Sequence, residues 1–348
     1  MTGGYRVLGD AAAALVTDPA LAHLYEETMT ADREELGLGT LRLLAEECML
    51  AVLGELSRGP VGAGDIEMRA RGIPRWTAQR RLHSLAHAGF ARTLGDGDRR
   101  GRGRARSSQA PYTLSRLGRE YLLRVAAAAA HCEQTWCTPP VQTPDAPGRW
   151  VLRLVADGPT RALARALADA PLRTADLQVR LPHVKRSTLL RRLRTLPDRG
   201  VLVREEHRGE VRYALTDGAR HLVIVPLRAA QCEWRRATPA DRALSADLPG
   251  LLRVLAPLGR TPQSTSGTCQ WHIDADGRLE TDVYLAVASG SIAALNAAPV
   301  TAPQAVSHAT GESWCEALLH GDPATIATTG DRALFNAVFD ALSSALLA

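Results

Sequence analysis

The chain has 348 residues, 45% of them hydrophobic and 23% charged, room for two or three ordinary globular domains. No apolar run reaches the ~18 residues of a membrane span, and the N-terminus lacks the basic-then-apolar pattern of a signal peptide, so a cytoplasmic location without membrane contact is expected. Residues 1–40 hold 2 basic and 7 acidic groups, residues 41–236 hold 35 and 19, and residues 237–348 hold 5 and 11, so a basic middle lies between two acidic ends. A concentrated basic segment is the electrostatic footprint of nucleic-acid binding.

Residues 1–40 read as an N-terminal helical extension. Asp18 and Pro19 predict a helix start, and Leu21, Leu24, Tyr25 and Thr28 predict a packing or dimerisation face with no chemistry of its own. From residue 41 the chain repeats itself. Shifted by 111 positions, residues 41–92 align without a gap on 152–203, with sixteen of 52 positions identical. Pro60 faces Pro171 and Asp65 faces Asp176; Arg75, Thr77, Arg80, Arg81, Leu82, Leu85 and Gly89 face Arg186, Thr188, Arg191, Arg192, Leu193, Leu196 and Gly200. After an insertion the match resumes, Tyr112 facing Tyr213, and Cys132 and Glu133 facing Cys232 and Glu233.

Each copy predicts the same elements. A helix with an apolar stripe comes first (Leu50, Leu53 and Leu56; Leu163 and Leu167), then a short helix around Asp65 or Asp176. The third helix has the inward residues Ala78, Leu82 and Leu85, or Leu189, Leu193 and Leu196, and ends at a C-cap glycine, Gly89 or Gly200. Two strands joined by a polar turn follow, and a long helix closes each copy. Three helices and a hairpin make a winged helix-turn-helix, so residues 41–137 and 149–236 are expected to be two such domains in tandem, in a chain that is mainly α with small β.

In these residues the chain resembles the HxlR-type regulators, which are close to the MarR-type. The resemblance covers residues 41–236. It is carried in the second copy by Pro171, Leu172, Arg173, Asp176, Leu177, Leu181, Pro182, Thr188, Leu189, Arg191, Leu193, Leu196, Gly200, Val201, Leu202, Arg212, Tyr213, Leu215 and Thr216. It implies a transcriptional regulator that binds double-stranded DNA and pairs through the helices flanking the wing. Two copies in one chain would then form an internal pseudo-dimer reading an imperfect inverted repeat, in a monomer or a homodimer.

The third helix of each copy is the expected recognition helix, since the major groove admits one α-helix. Its candidate DNA contacts are Arg75, Trp76, Thr77, Gln79, Arg80 and His83 in the first copy, and Lys185, Arg186, Ser187, Thr188, Arg191 and Arg194 in the second. Trp76 fits either a core position or a base contact, and Leu190 either a thymine methyl or packing between copies. The first wing tip places Arg99, Arg100, Arg102, Arg104 and Arg106 among glycines and Ala105, which resembles a minor-groove AT-hook; a solvated charged loop is the plainer reading. The second wing is short, with Arg208 alone.

Beyond a polar linker, residues 247–348 alternate like strands around Trp271 and Tyr284, with a turn at Asp276 and Gly277. Further strands are expected at 292–295, 305–308 and 325–328. One helix spans 313–320, and a last helix starts at Asp331 and carries Leu334, Phe335, Val338, Phe339, Leu342 and Leu346. This order resembles the sterol-carrier-protein-like fold, which implies an apolar tunnel between sheet and helices. Trp271, Tyr284, Trp314, Phe335 and Phe339 would line it for a small hydrophobic or aromatic ligand that modulates DNA binding. A plain core or a dimerisation domain explains the same residues.

Enzymatic function is not expected. His272, Asp274, Asp276, His308, His320 and Asp322 supply acid–base groups, but no nucleophile elbow, phosphate loop or metalloprotease motif accompanies them. Cys48, Cys132, Cys137, Cys232, Cys269 and Cys315 lack zinc-site spacing and read as buried thiols, with no metal or cofactor. The competing functions are a small-molecule-sequestering carrier and a non-specific nucleoid DNA binder.

Overall fold

The computed structural model describes residues 38–70, 72–94, 110–136, 147–207, 209–236, 248–275, 278–295 and 297–347. The expected N-terminal helix, the wing-tip arginines 99–106, Arg208, Cys137 and the turn at 276–277 lie outside the described residues.

The first segment runs α1 (Leu38–Ala45), α2 (Met49–Arg58), α3 (Ala63–Arg69), α4 (Arg75–His87), β1 (Ala91–Thr93), β2 (Tyr112–Leu114), a π-helical turn (Gly118–Leu122) and α5 (Leu123–Trp136). The second runs α6 (Arg149–Ala156), α7 (Gly158–Ala166), β3 (Leu172–Arg173), α8 (Thr174–Arg180), α9 (Arg186–Thr195), β4 (Leu202–His207), β5 (Glu210–Leu215), α10 (Asp217–His221) and α11 (Ile224–Arg236). In each, Gly89 or Gly200 turns the chain out of the third expected helix at φ 76° or 69°, a left-handed conformation that favours glycine.

The opening helix expected on Leu50, Leu53 and Leu56, or on Leu163 and Leu167, is α2 or α7, and in each segment a further helix, α1 or α6, stands ahead of it. Cys48 takes a left-handed conformation (φ 63°) and breaks α1 from α2, and Asp157 caps α7 by accepting from Thr160 N at 3.0 Å, breaking it from α6. Strand β3 pairs with β5, and a single bridge between Val61 and Tyr112 stands at the equivalent place in the first segment.

Helix α1 packs on α6 and α5 packs on α11; crosswise, α1 packs on α11 and α6 on α5. The seam is apolar: Leu41, Leu44, Ala129, Cys132, Val151, Leu152, Ala229 and Cys232 are all buried. Two carboxylates cross it. Glu233 Oε1 accepts from Thr40 N at 2.6 Å, and Glu133 Oε2 accepts from Gly148 N.

The C-terminal unit opens with α12 (Leu248–Leu255) and holds β6 (Gly267–Ala275), β7 (Arg278–Ala288), β8 (Ser291–Leu295), β9 (Ala305–Thr310), α13 (Gly311–His320), β10 (Ala327–Gly330) and α14 (Arg332–Leu347). The sheet order is β10-β9-β6-β7-β8, parallel only between β6 and β9. Asp331 caps α14 as its sequence predicts, accepting from Leu334 N at 2.9 Å. The strand expected at 325–328 starts later, because Pro323–Thr325 forms a 3-10 turn that Asp322 caps. This unit docks on the second segment. Buried Arg220 donates to Ala168 O at 2.9 Å and Val254 O at 3.1 Å, Arg235 pairs with Glu316, and α11 packs on α13. Among the described residues no helix is long and apolar enough to cross a membrane.

Candidate nucleic-acid interface

Helices α4 and α9 each bury one face and leave the other basic. Ala78, Leu82 and Leu85, and Leu189, Leu193 and Leu196, are buried against the helices behind them. Neither helix contains an Asp or Glu. Each carries an Arg-Arg pair whose members divide the work. Arg81 turns inward, pairs with Glu46 and donates to Glu47 O at 2.8 Å; Arg192 pairs with Asp157 at 2.7 Å. Their neighbours Arg80 and Arg191 point to solvent. Both pairs therefore anchor the helix to the junction ahead of its segment's second helix, between α1 and α2 or between α6 and α7, and leave the adjacent guanidinium at the surface.

Most expected contacts lie on the open face. Arg75, Trp76, Arg80 and His83 are exposed on α4, with Gln79 half-buried and its Nε2 2.6 Å from His83 Nε2. Trp76 is 65% exposed, so of its two readings the core one is excluded. Arg80 lies over its ring at 5.2 Å, a cation–π contact that holds both at the surface. Thr77 is a correction: it is buried on the inner face and cannot touch a base. On the other helix, Lys185, Arg186, Ser187, Arg191 and Arg194 are exposed, while Thr188 and Leu190 are half-buried.

The second wing is charge-balanced. Glu210 accepts from Arg173 at 3.0 Å and Arg212 at 3.2 Å, and Arg173 also binds Asp176 at 3.0 Å. Arg212 and Arg173 hold the Glu210 carboxyl below its usual range, and Arg173 does the same to Asp176. The sequence offers these charges but not their mutual neutralisation, which depends on β3 pairing with β5.

The expected ligand site requires a correction. Trp271 and Trp314 stack with centroids 4.3 Å apart, and Phe335 and Phe339, 5.8 Å from each other, close on them at 6.2–6.4 Å. All four are buried. Their rings occupy the layer between sheet and helices where a tunnel was expected. Tyr284 lies on the opposite sheet face, its hydroxyl donating to Asp282 at 3.2 Å. The acid–base candidates are scattered. His272 bonds Asp282 at 2.8 Å and neighbours His308 on that outer sheet face, while His320 contacts Gln231.

A basic, acid-free helix behind a short helix and ahead of a β-hairpin defines the helix-turn-helix class. Residues 154–239 match the family described as HxlR-like helix-turn-helix, so this segment carries the architecture of a DNA-binding transcriptional regulator. No curated protein matches the chain.

Proposed function

We propose that the protein is a DNA-binding transcriptional regulator in which both segments act as winged helices and together form a pseudo-dimer within one chain. The observation that carries this is the equivalence of Arg80 beside salt-bridged Arg81 with Arg191 beside salt-bridged Arg192, on two acid-free helices. The packing supports the pairing. A shift of 111 residues carries the end of α1, Ala45, onto the end of α6, Ala156, and these two helices contact each other, as α5 and α11 do. Contacts that exchange in this way are the mark of an isologous interface. The half-sites would lie about one helical turn apart.

The test is selection of bound fragments from genomic DNA, followed by footprinting. A regulator protects one operator with two half-sites, and Arg191→Ala erases protection of one of them. Uniform coating of DNA marks a nucleoid protein, and no protection marks a carrier. The packed aromatic cluster supports a structural role for the C-terminal unit, which braces the second winged helix through Arg220 and α13.

A further inference from the structure

The 111-residue shift separates what α4 and α9 share from what they do not. Both expose an arginine at the first position, Arg75 or Arg186, and another five residues on, Arg80 or Arg191. They differ at the second position, where Trp76 stands against Ser187, and further along, where Gln79 and His83 stand against Leu190 and Arg194.

Trp76 sits in the first turn of α4, and the N-terminal residues of a recognition helix are the ones that reach base edges. Its ring is 65% exposed and lies one helical turn from Arg80, whose guanidinium covers it at 5.2 Å. The stack removes rotamer freedom that an exposed arginine otherwise loses on binding, so Arg80 is presented pre-set beside an apolar surface. Gln79, which could otherwise read an adenine, has its amide 2.6 Å from the His83 ring nitrogen. An arginine pairs with guanine O6 and N7, and the methyl group that a base offers in the major groove is that of thymine. Two side chains in contact reach neighbouring base pairs, since these rise only about 3.4 Å apart. We propose that Trp76 and Arg80 act as one reader of a guanine and an adjacent thymine, recognised by its C5-methyl, and that the half-site under α9, which faces Ser187, carries no such methyl requirement. The chain is then symmetric in fold but asymmetric in the sequence it reads. This rests on the DNA-binding reading above.

The test uses the full chain and the operator isolated by fragment selection. The half-site whose protection Arg80→Ala erases is the one under α4. Each of its thymines is replaced in turn by deoxyuridine, which deletes the C5-methyl and nothing else. One replacement, next to a guanine, should weaken wild-type binding about fourfold, the worth of burying a single methyl. Trp76→Ser, which copies the second segment, should bind the thymine and deoxyuridine operators equally, and should keep the wild-type unfolding midpoint because the side chain it removes is exposed. Ser187→Trp, with Arg191 four residues on, should make the other half-site methyl-dependent once a thymine stands beside its guanine. Binding that no deoxyuridine in the α4 half-site weakens, or a methyl effect that survives Trp76→Ser, overturns the proposal and leaves the regulator reading standing. Protection of no fragment at all overturns both.

Discussion

Glu133 and Glu233 cap each other's half of the molecule: the first closes the amide of Gly148 at the start of α6, the second the amide of Thr40 in the first turn of α1. A helix N-terminus presents unsatisfied amides and positive dipole charge, and a carboxylate satisfies both. Here each carboxylate comes from the closing helix of the opposite segment, so the bond that completes one half also joins it to the other. Glu133→Ala and Glu233→Ala should each cost about 1–2 kcal/mol in urea unfolding. The double variant should broaden or split the transition. A single unchanged transition would show that the seam holds by apolar packing alone.

The adjacent arginines of α4 should separate cleanly. Arg81→Ala leaves Glu46 without its partner and is expected to lower stability by about 2 kcal/mol. Arg80→Ala should leave the unfolding midpoint within about 0.5 kcal/mol and weaken DNA binding by about 1–3 kcal/mol. Arg192 and Arg191 should behave the same way. The check is paired chemical denaturation and DNA titration of the four variants.

Replacing Arg99, Arg100, Arg102, Arg104 and Arg106 with alanine should flatten the plot of log affinity against log salt by about 0.9 for every phosphate the wing no longer neutralises. Arg208→Ala should change that slope by about 1 at most. Titrations across a salt series decide this; an unchanged slope would make the first wing tip a solvated loop.

The aromatic cluster of the C-terminal unit should respond as core. Trp271→Ala or Phe335→Ala is expected to cost about 3–5 kcal/mol by calorimetry. Hydrophobic dyes should not quench the wild-type fluorescence of Trp271 and Trp314 through direct contact, because both indoles are covered. Tyr284→Phe, on the outer face, should leave the melting temperature almost unchanged.

His221 stacks flat on Trp136, with centroids 4.0 Å apart and ring planes 8° from parallel. Burial lowers its pKa from the ordinary 6.5, outweighing the opposing pull of Asp217 and of a backbone bond to Ala345. The unfolded chain therefore takes up the proton first as pH falls. The stability from this stacked pair should be complete above pH 6.5 and decline progressively below it, until the folded form also titrates. His221→Phe should remove that part of the pH dependence, measured by urea midpoints on either side of the window.

The inner and outer faces of α4 and α9 were legible in the sequence, because helical spacing sorts leucine from arginine. Which arginine of each pair turned inward was not, since Glu46 and Asp157 lie 35 residues upstream of their partners. Helix α1 was missed for another reason: the apolar stripe was counted from Leu50, and Cys48, where α1 and α2 part, is a residue type that carries no turn signal. The Glu233 cap joins residues 193 apart and leaves no local trace. The aromatic residues were visible, but a core and a tunnel wall share the same apolar spacing. Only the ring-to-ring distances separate them.

The π-helical turn at Gly118–Leu122 has a mechanical consequence. From Tyr112 to Glu133 the chain is one residue longer than from Tyr213 to Glu233. In a regular α-helix that extra residue would rotate everything after it by about 100°. Cys132 would swing out of the seam and Glu133 away from Gly148. A single wide turn takes up one residue without advancing the helix behind it. It acts as a spacer, so the two closing helices keep the same angular setting although their lead-in segments differ in length.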